Sequence, residues 1–290
     1  MNNPLFRPPA EADSLILQID QGCPYNRCTF CGMYRGVPYR RSSVDQVRTL
    51  ILQESQRYPR ATRIFLADGD VMRRPFEELR AILFFLNEQF SRLARIGAYA
   101  GGGSIAAKSV EQLRFLRSLK LHTLYMGLES GDEEVLRRCN KGETAAHMVD
   151  AGIMAQECGL RMSVMILLGL GGSDYSREHA VGTANALNRM QPRLLSALRV
   201  IPVESTELYE DVARGRFHQL SEYDVVRELR GMLANLELNS TVFRSNHGSN
   251  VVSLEGRLPR DKDRFLSELD RLIESTTLDR ESPGRTPLWL

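Results

Sequence analysis

Gly22-Cys23-Pro24-Tyr25-Asn26-Arg27-Cys28-Thr29-Phe30-Cys31-Gly32 places three cysteines on one short loop, spaced C-x4-C-x2-C. An apolar run, Ser14-Leu15-Ile16-Leu17-Gln18-Ile19-Asp20, comes directly before it and reads as a short buried strand. Three thiolates on one loop can hold three irons of a cubane cluster. The fourth iron is then left without a protein ligand, a position that suits a small chelating substrate. Four closely spaced cysteines would instead predict a closed site, either zinc or a pure electron carrier.

Beyond the loop, strands and helices alternate. Ser43-Val44-Asp45-Gln46 carries a capping-box signature, followed by Val44, Val47, Leu50 and Ile51 at helical spacing, and Pro59 stops that helix. Ile64 to Ala67 reads as the second strand and ends at Asp68-Gly69-Asp70, with a helix over Phe76 to Phe90. Arg95 to Ala100, the third, leads into Gly101-Gly102-Gly103-Ser104, after which Ser109 and Gln112 open another helix. Thr123 to Leu128, the fourth, ends at Glu129-Ser130-Gly131. Two helices follow, Glu133 to Arg138 and Thr144 to Cys158, and Gly159 reads as a C-cap. Met162 to Leu168, the fifth, ends at Gly169-Leu170-Gly171-Gly172; a helix over Ser176 to Met190 leads to the sixth, Leu194 to Ile201.

Six strands in alternation with helices predict an α/β fold with a mostly parallel sheet. Repetition of one handed βα unit curls such a sheet toward a barrel, and six units close about three-quarters of the eight-unit form. A doubly wound sheet is the competing arrangement. After Pro202 the rhythm changes. Short helices over 206–214, 221–238 (Val225, Leu229, Met232, Leu233 and Leu236 inward) and 260–275 make residues 206–290 a mostly helical extension covering the open side of a 1–205 barrel. Between them lies a polar loop from Phe243 to Asn250. Residues 1–13 are expected to wrap the surface, and the tail from Thr276, with Pro283, Gly284 and Pro287, to be mobile.

The chain has 290 residues, 42% hydrophobic and 26% charged, with a net charge of +2. That is an ordinary soluble composition with no polyanion signal. No run of 18 apolar residues predicts a membrane span, and the N-terminus lacks a signal-peptide layout. Five cysteines, three of them clustered, fit a reducing cytoplasm better than a disulfide framework. Each unusual segment falls at the C-terminal end of a strand, where βα loops gather and sites form.

The loop and the segments after it resemble the radical S-adenosylmethionine (radical SAM) superfamily, closest to its small single-cluster members of the coproporphyrinogen-dehydrogenase and elongator branches. The family usually spaces its cysteines C-x3-C-x2-C, so this loop is a variant with one extra residue. The resemblance covers residues 14 to about 205 and implies a partial (βα)6 barrel. It implies that Cys23, Cys28 and Cys31 hold a [4Fe–4S] cluster whose fourth iron is chelated by SAM. One-electron cleavage of SAM would then give methionine and a 5′-deoxyadenosyl radical, which takes a hydrogen atom from a substrate. Phe30 would pack near the adenine. Asp68, Gly69 and Asp70 stand where the family binds the SAM amino group, largely through backbone; an ordinary turn is the alternative. Glu129 and Ser130 would meet the ribose or methionine part, although Glu129 also suits a helix N-terminus. Gly169 and Leu170 would lie under the adenine, and Ser163 would reach the ribose or carboxylate unless it is simply buried.

Around these lie weaker candidates. The glycine run 101–103 allows close approach or is a linker. Lys141 matches a family position near the short helix or is a solvated lysine. Arg244, Asn246, His247 and Asn250 offer substrate contacts or form a polar turn. Arg35, Tyr39, Arg40 and Arg41 form a basic aromatic patch that steers a one-electron donor of the flavodoxin or ferredoxin type or an anionic substrate, or is simply a solvated surface. Cys139 and Cys158 read as core residues. The substrate, small molecule or macromolecule, is not specified. The reading from a different class is a non-enzymatic iron–sulfur or zinc protein, such as a cluster carrier.

Overall fold

The computed structural model describes residues 6–284. In chain order it contains β1 (Leu15–Gln18), β2 (Asp20–Gln21), β3 (Arg40–Arg41), α1 (Val44–Arg57), β4 (Arg63–Ala67), α2 (Phe76–Gln89), β5 (Arg95–Tyr99), α3 (Gly102–Ala106), α4 (Val110–Ser118), β6 (Leu121–Glu129), α5 (Glu133–Arg138), α6 (Ala145–Glu157), β7 (Arg161–Leu168), α7 (Gly172–Met190), β8 (Leu194–Arg199), α8 (Glu207–Ala213), α9 (Glu222–Asn235), β9 (Thr241–Arg244), β10 (Glu255–Leu258) and α10 (Lys262–Glu274).

Eight strands form one sheet in the order β1-β4-β5-β6-β7-β8-β9-β10. β1 pairs parallel with β4, β4 with β5, β5 with β6, β7 with β8 and β8 with β9; β10 runs antiparallel to β9. Each new βα unit therefore adds to the same edge. A doubly wound sheet reverses its strand order at a switch point, and this sheet never reverses. The topology is the one expected of an α/β fold of the partial-barrel type.

Local signals act as expected. Ser43 Oγ accepts from the Gln46 N–H at 3.2 Å while Gln46 Oε1 accepts from the Ser43 N–H at 2.8 Å. Ser109 and Gln112 repeat that box at the start of α4. Gly159 has φ +83, and the Leu160 N–H reaches back to the Ala155 carbonyl at 3.1 Å, the 6→1 bond of a Schellman end. The glycine run is not a linker: Gly102 and Gly103 open α3.

The chain folds as two compact units. One contains residues up to Asn26, Met33–Met126 and Ala151–Met162; the other contains Arg27–Gly32, Gly127–Asp150 and the chain from Ser163 onward. In the first, one expectation changes. Pro9–Glu11 forms a short 3-10 turn, and Glu11 is buried rather than on the surface, accepting from the Tyr125 hydroxyl at 2.5 Å. Arg74 is also fully buried. Its guanidinium donates to Asp20 (2.6 and 3.1 Å), Glu78 (2.9 Å) and the carbonyls of Ile19 (2.9 Å) and Ser42 (2.8 Å). With the pairing of β2 and β3, it staples the two ends of the excursion that carries the cysteines.

In the second unit, Val164 and Ile166 of β7, Leu195 and Ala197 of β8 and Phe243 of β9 are buried. Phe243 stacks on Phe265 of α10 with centroids 5.6 Å apart. Residues on the opposite face, Met165, Leu167, Ser196 and Leu198, are half-buried. The extension supplies three helices and also two strands, because the start of the expected polar loop pairs with β8 as β9. The tail is tied down as far as it is described. The Glu222 and Tyr223 N–H groups donate to the carbonyls of Ser282 and Asp279, each at 3.0 Å, and Arg280 lies 4.0 Å over the Tyr223 ring. Residues 1–5 and Pro287 lie outside the described residues.

Candidate functional site

None of the five cysteines is in a disulfide; Cys23, Cys28 and Cys31 are half-buried, while Cys139 and Cys158 are buried. Among the described residues no three His, Cys, Asp or Glu side chains converge as ligands of one metal ion. Cysteines of a cubane each bind a different iron and do not share such a point.

In the first unit, Cys23 follows the β2 strand. The Asn26 N–H points at Cys23 Sγ at 3.5 Å, the kind of donor that supports a cluster thiolate. Asn26 takes φ +44 and is fixed by its Nδ2–Tyr34 carbonyl bond of 2.9 Å. Gly69 presses on the same loop. A Cβ there would lie 2.5 Å from Cys23 Cα and 2.6 Å from the Gly22 carbonyl oxygen, so only glycine fits. Asp68 stands at φ +81 with a buried side chain, accepting from Gln18 Nε2 at 2.6 Å and the Tyr34 hydroxyl at 3.2 Å. Burial pushes its carboxyl above the usual carboxylate range, against the pull of those two bonds. Asp70 accepts from Ser104 Oγ at 2.7 Å. Both acids of this segment have partners within the protein.

In the second unit, the loop's backbone is stitched down at Thr29, whose N–H donates to the Cys139 carbonyl at 2.9 Å and whose carbonyl accepts from Leu208 at 3.0 Å. Phe30 packs against a buried cluster of Val135, Cys139 and Leu170, and Leu167, Tyr175 and Val200 pack against the same cluster. That gathers an aromatic ring of the cysteine loop with apolar residues at the ends of β7 and β8. A small pocket is lined by Gly169, Arg199, Val200, Val225 and Gly284 among others. Burial pushes the Cys139 thiol up to about 12, which makes it an inert core residue.

Glu129 ends β6 at φ +63 and pairs with Lys141, Nζ to Oε1 3.1 Å. Its carboxylate folds over Gly127, where a Cβ would lie 2.0 Å from Oε1. Burial alone would depress the Lys141 ammonium. Glu129 and the Cys28 sulfur more than offset this and hold it above its ordinary range. Lys141 is thus a charged group beside the cysteine loop rather than a solvated lysine.

Ser130 is fully buried, with its hydroxyl engaged by His179, and Ser163 is 2% exposed. Neither hydroxyl lies open, whereas Glu129 beside them is half-buried. The polar stretch 243–250 serves mostly itself: Arg244 and Asn246 bond Glu255 (3.0 and 3.1 Å), and Asn250 bonds the Ala197 and Ser245 carbonyls (2.8 and 2.7 Å). Arg40 and Arg41 are exposed on β3.

The residues missed in the sequence are Arg74, His179 and Glu228. Glu228 carried a signal, because it stands three residues after Val225 and four before Met232, on the apolar face of α9. An acid at that spacing is either buried with partners or misplaced.

The model of the radical SAM superfamily matches residues 17–184, more than half of the chain. No curated protein matches. Among solved structures, Escherichia coli coproporphyrinogen III oxidase (HemN), described as a radical SAM enzyme, has a TM-score of 0.56 at 17% identity, over 76% of this chain and 52% of that one. Methylornithine synthase (PylB) gives 0.54 at 17%, over 94% and 83%. Elp3 of the archaeon Methanocaldococcus infernus gives 0.52 at 16%, over 79% and 59%. The chain spans only 30% of the cobalamin-dependent S-adenosylmethionine radical enzyme OxsB. At these identities the likeness is one of fold.

Proposed function

The chain belongs to the radical SAM superfamily, whose enzymes use a [4Fe–4S] cluster and S-adenosylmethionine, and from that premise we propose that it binds both and cleaves SAM reductively for hydrogen abstraction. When bound, the cluster and SAM supply an electron for the sulfonium bond and the 5′-deoxyadenosyl radical that results.

The chain's own residues supply position. Cys23, Cys28 and Cys31 hold the cluster, with the Asn26 N–H directed at the first sulfur. The backbone of Asp68-Gly69-Asp70 meets the amino end of SAM. Phe30, Leu170 and Val200 exclude water around the adenosine. Glu129 accepts from ribose hydroxyls or the ammonium group, and Lys141 holds that carboxylate in place and meets the opposite charge of the SAM carboxylate. Ser130 and Ser163 act from behind this surface, through the backbone they support. Exposed Arg40 and Arg41 attract an acidic one-electron donor in a reducing, cytoplasmic compartment. The substrate occupies the half-buried face of β7 and β8.

The observation that carries this reading is that strand-end segments meet the cysteine loop: Gly69 lies against Cys23 in one unit, and in the other Phe30 packs on the buried cluster that holds Leu170, which Val200 also covers. Anaerobic reconstitution tests it. The protein should take up iron and sulfide, absorb broadly near ~400 nm, and release 5′-deoxyadenosine from SAM with a strong reductant. Cys28→Ala should release none. One zinc per chain with no SAM-dependent change would instead establish the metal-carrier reading.

A further inference from the structure

The second unit contains a buried hydroxyl–imidazole–carboxylate series outside the cofactor contacts. Ser130 and His179 are 0% exposed and Glu228 4%. His179 Nδ1 lies 2.8 Å from Ser130 Oγ, and Nε2 lies 3.7 Å from Glu228 Oε1 with no hydrogen-bond partner of its own. With Nε2 facing a carboxylate oxygen, the network assigns the ring hydrogen to Nε2. Nδ1 is then left to accept from Ser130, which itself accepts from the Asp132 N–H at 3.0 Å. A hydroxyl with no exposure cannot attack a substrate, so this is not a hydrolytic triad.

What the series holds is backbone. Glu228 accepts from the Gly169 N–H and from the Ser176 hydroxyl, both at 2.6 Å. Thr183, also fully buried, accepts from the Gly131 N–H at 2.9 Å and lies 3.5 Å from His179 Nδ1. One carboxylate from α9 therefore fixes the end of β7 directly, and it faces the His179 ring, whose other nitrogen meets Ser130 at the end of β6. Both ends need holding: Glu129 leaves its strand at φ +63, a region that side chains avoid, and Gly169 leaves at φ +79 with no side chain of its own to fix it. Gly131 has no slack, because a Cβ there would lie 2.2 Å from the Gly182 oxygen. A gap that only needed filling would be filled by an apolar side chain, because a buried carboxylate is costly unless it is bonded.

We infer that Glu228 and His179 are positioning residues for SAM. They set Gly169-Leu170 against Phe30 and set the Glu129 turn beside Lys141, and this rests on the functional reading above. Glu228→Leu removes the acceptor for the Gly169 N–H. Glu228→Gln keeps an acceptor there and presents its NH₂ to the Ser176 oxygen. Each variant is reconstituted with its cluster, and SAM affinity is measured by equilibrium binding alongside iron content. Hydrogen exchange of the 128–132 and 167–172 amides is followed in the same proteins.

Glu228→Leu should keep its iron, bind SAM about tenfold more weakly, the factor for one lost charge-assisted hydrogen bond, and exchange faster in those two segments but not in β1 and β4. Glu228→Gln should restore most of the affinity. If Glu228→Leu does not fold, Ser176→Ala removes one bond to the same carboxylate and should weaken SAM about threefold. Folded, iron-loaded Glu228→Leu with wild-type affinity would overturn the inference, as would Ser176→Ala with wild-type affinity and exchange. A wild-type protein that loads iron but does not bind SAM would overturn the functional reading itself, a result read before any variant is made.

Discussion

Arg74 in the first unit and Glu228 in the second are both buried charges, and they are satisfied in opposite ways. Arg74 meets a full countercharge in Asp20 and spends its remaining donors on two carbonyls and Glu78. Glu228 meets a backbone N–H, a hydroxyl and an imidazole that stays beyond bonding distance. The first arrangement ties distant parts of the chain to one another, and its loss is a loss of fold. The second pins a strand end that faces a ligand, and its loss is read at the ligand.

The largest effect should break this contrast if it is wrong. Arg74→Met leaves the Asp20 carboxylate buried without a partner and should cost about 3–5 kcal/mol, measured by urea unfolding. Asp20→Leu added to it should recover much of that loss, since an apolar pair replaces a buried ion pair with little penalty. No recovery would mean that Arg74 acts through the Ile19 and Ser42 carbonyls.

Two glycines sharpen the same contrast. At Gly69 the obstacle is backbone, so Gly69→Ala should cost about 1–3 kcal/mol and lower iron uptake. At Gly127 the obstacle is the end of the Glu129 side chain, which can swing away. Gly127→Ala should keep its stability within about 1 kcal/mol and lose SAM affinity as the Glu129–Lys141 pair opens. Equal stability losses at both positions would count against it.

The smallest effect is in pH. Burial, aided by Arg161, Arg117 and Arg95, lowers His122 in the first unit to about 4 from 6.5. The unfolded chain therefore takes up a proton first, and stability should fall as pH drops from 6.5 toward 4. Burial raises Glu228 above 4.5, despite His179, Ser176 and Gly169. The folded state holds that proton more tightly, so this contribution is present below 4.5 and is lost as pH rises. His122→Gln should flatten the acid side of a melting-temperature profile, and Glu228→Gln the side above it.

Much of this was legible before the structure. Each strand of β1 and β4 to β8 is a short apolar run closed by glycine or a polar cluster, and the Ser43–Gln46 and Ser109–Gln112 caps are local chemistry. β9 and β10 were not legible, because Thr241-Val242-Phe243-Arg244 and Glu255-Gly256-Arg257-Leu258 owe their strand character to neighbours. The three cysteines and Phe30 announce themselves by spacing. Glu11, buried against Tyr125, and Arg74 do not, since nothing in a polar or charged residue's sequence surroundings says which partner will accept it.

The last described residues have a practical corollary. Arg199 donates to the Pro283 carbonyl, and a Cβ at Gly284 would lie 2.0 Å from Glu222 Oε1. A purification handle fused close behind Gly284, or a deletion reaching back to Asp279, would disturb the seam that closes one wall of the pocket beside Gly169. Genetic fusions on that side call for a long spacer.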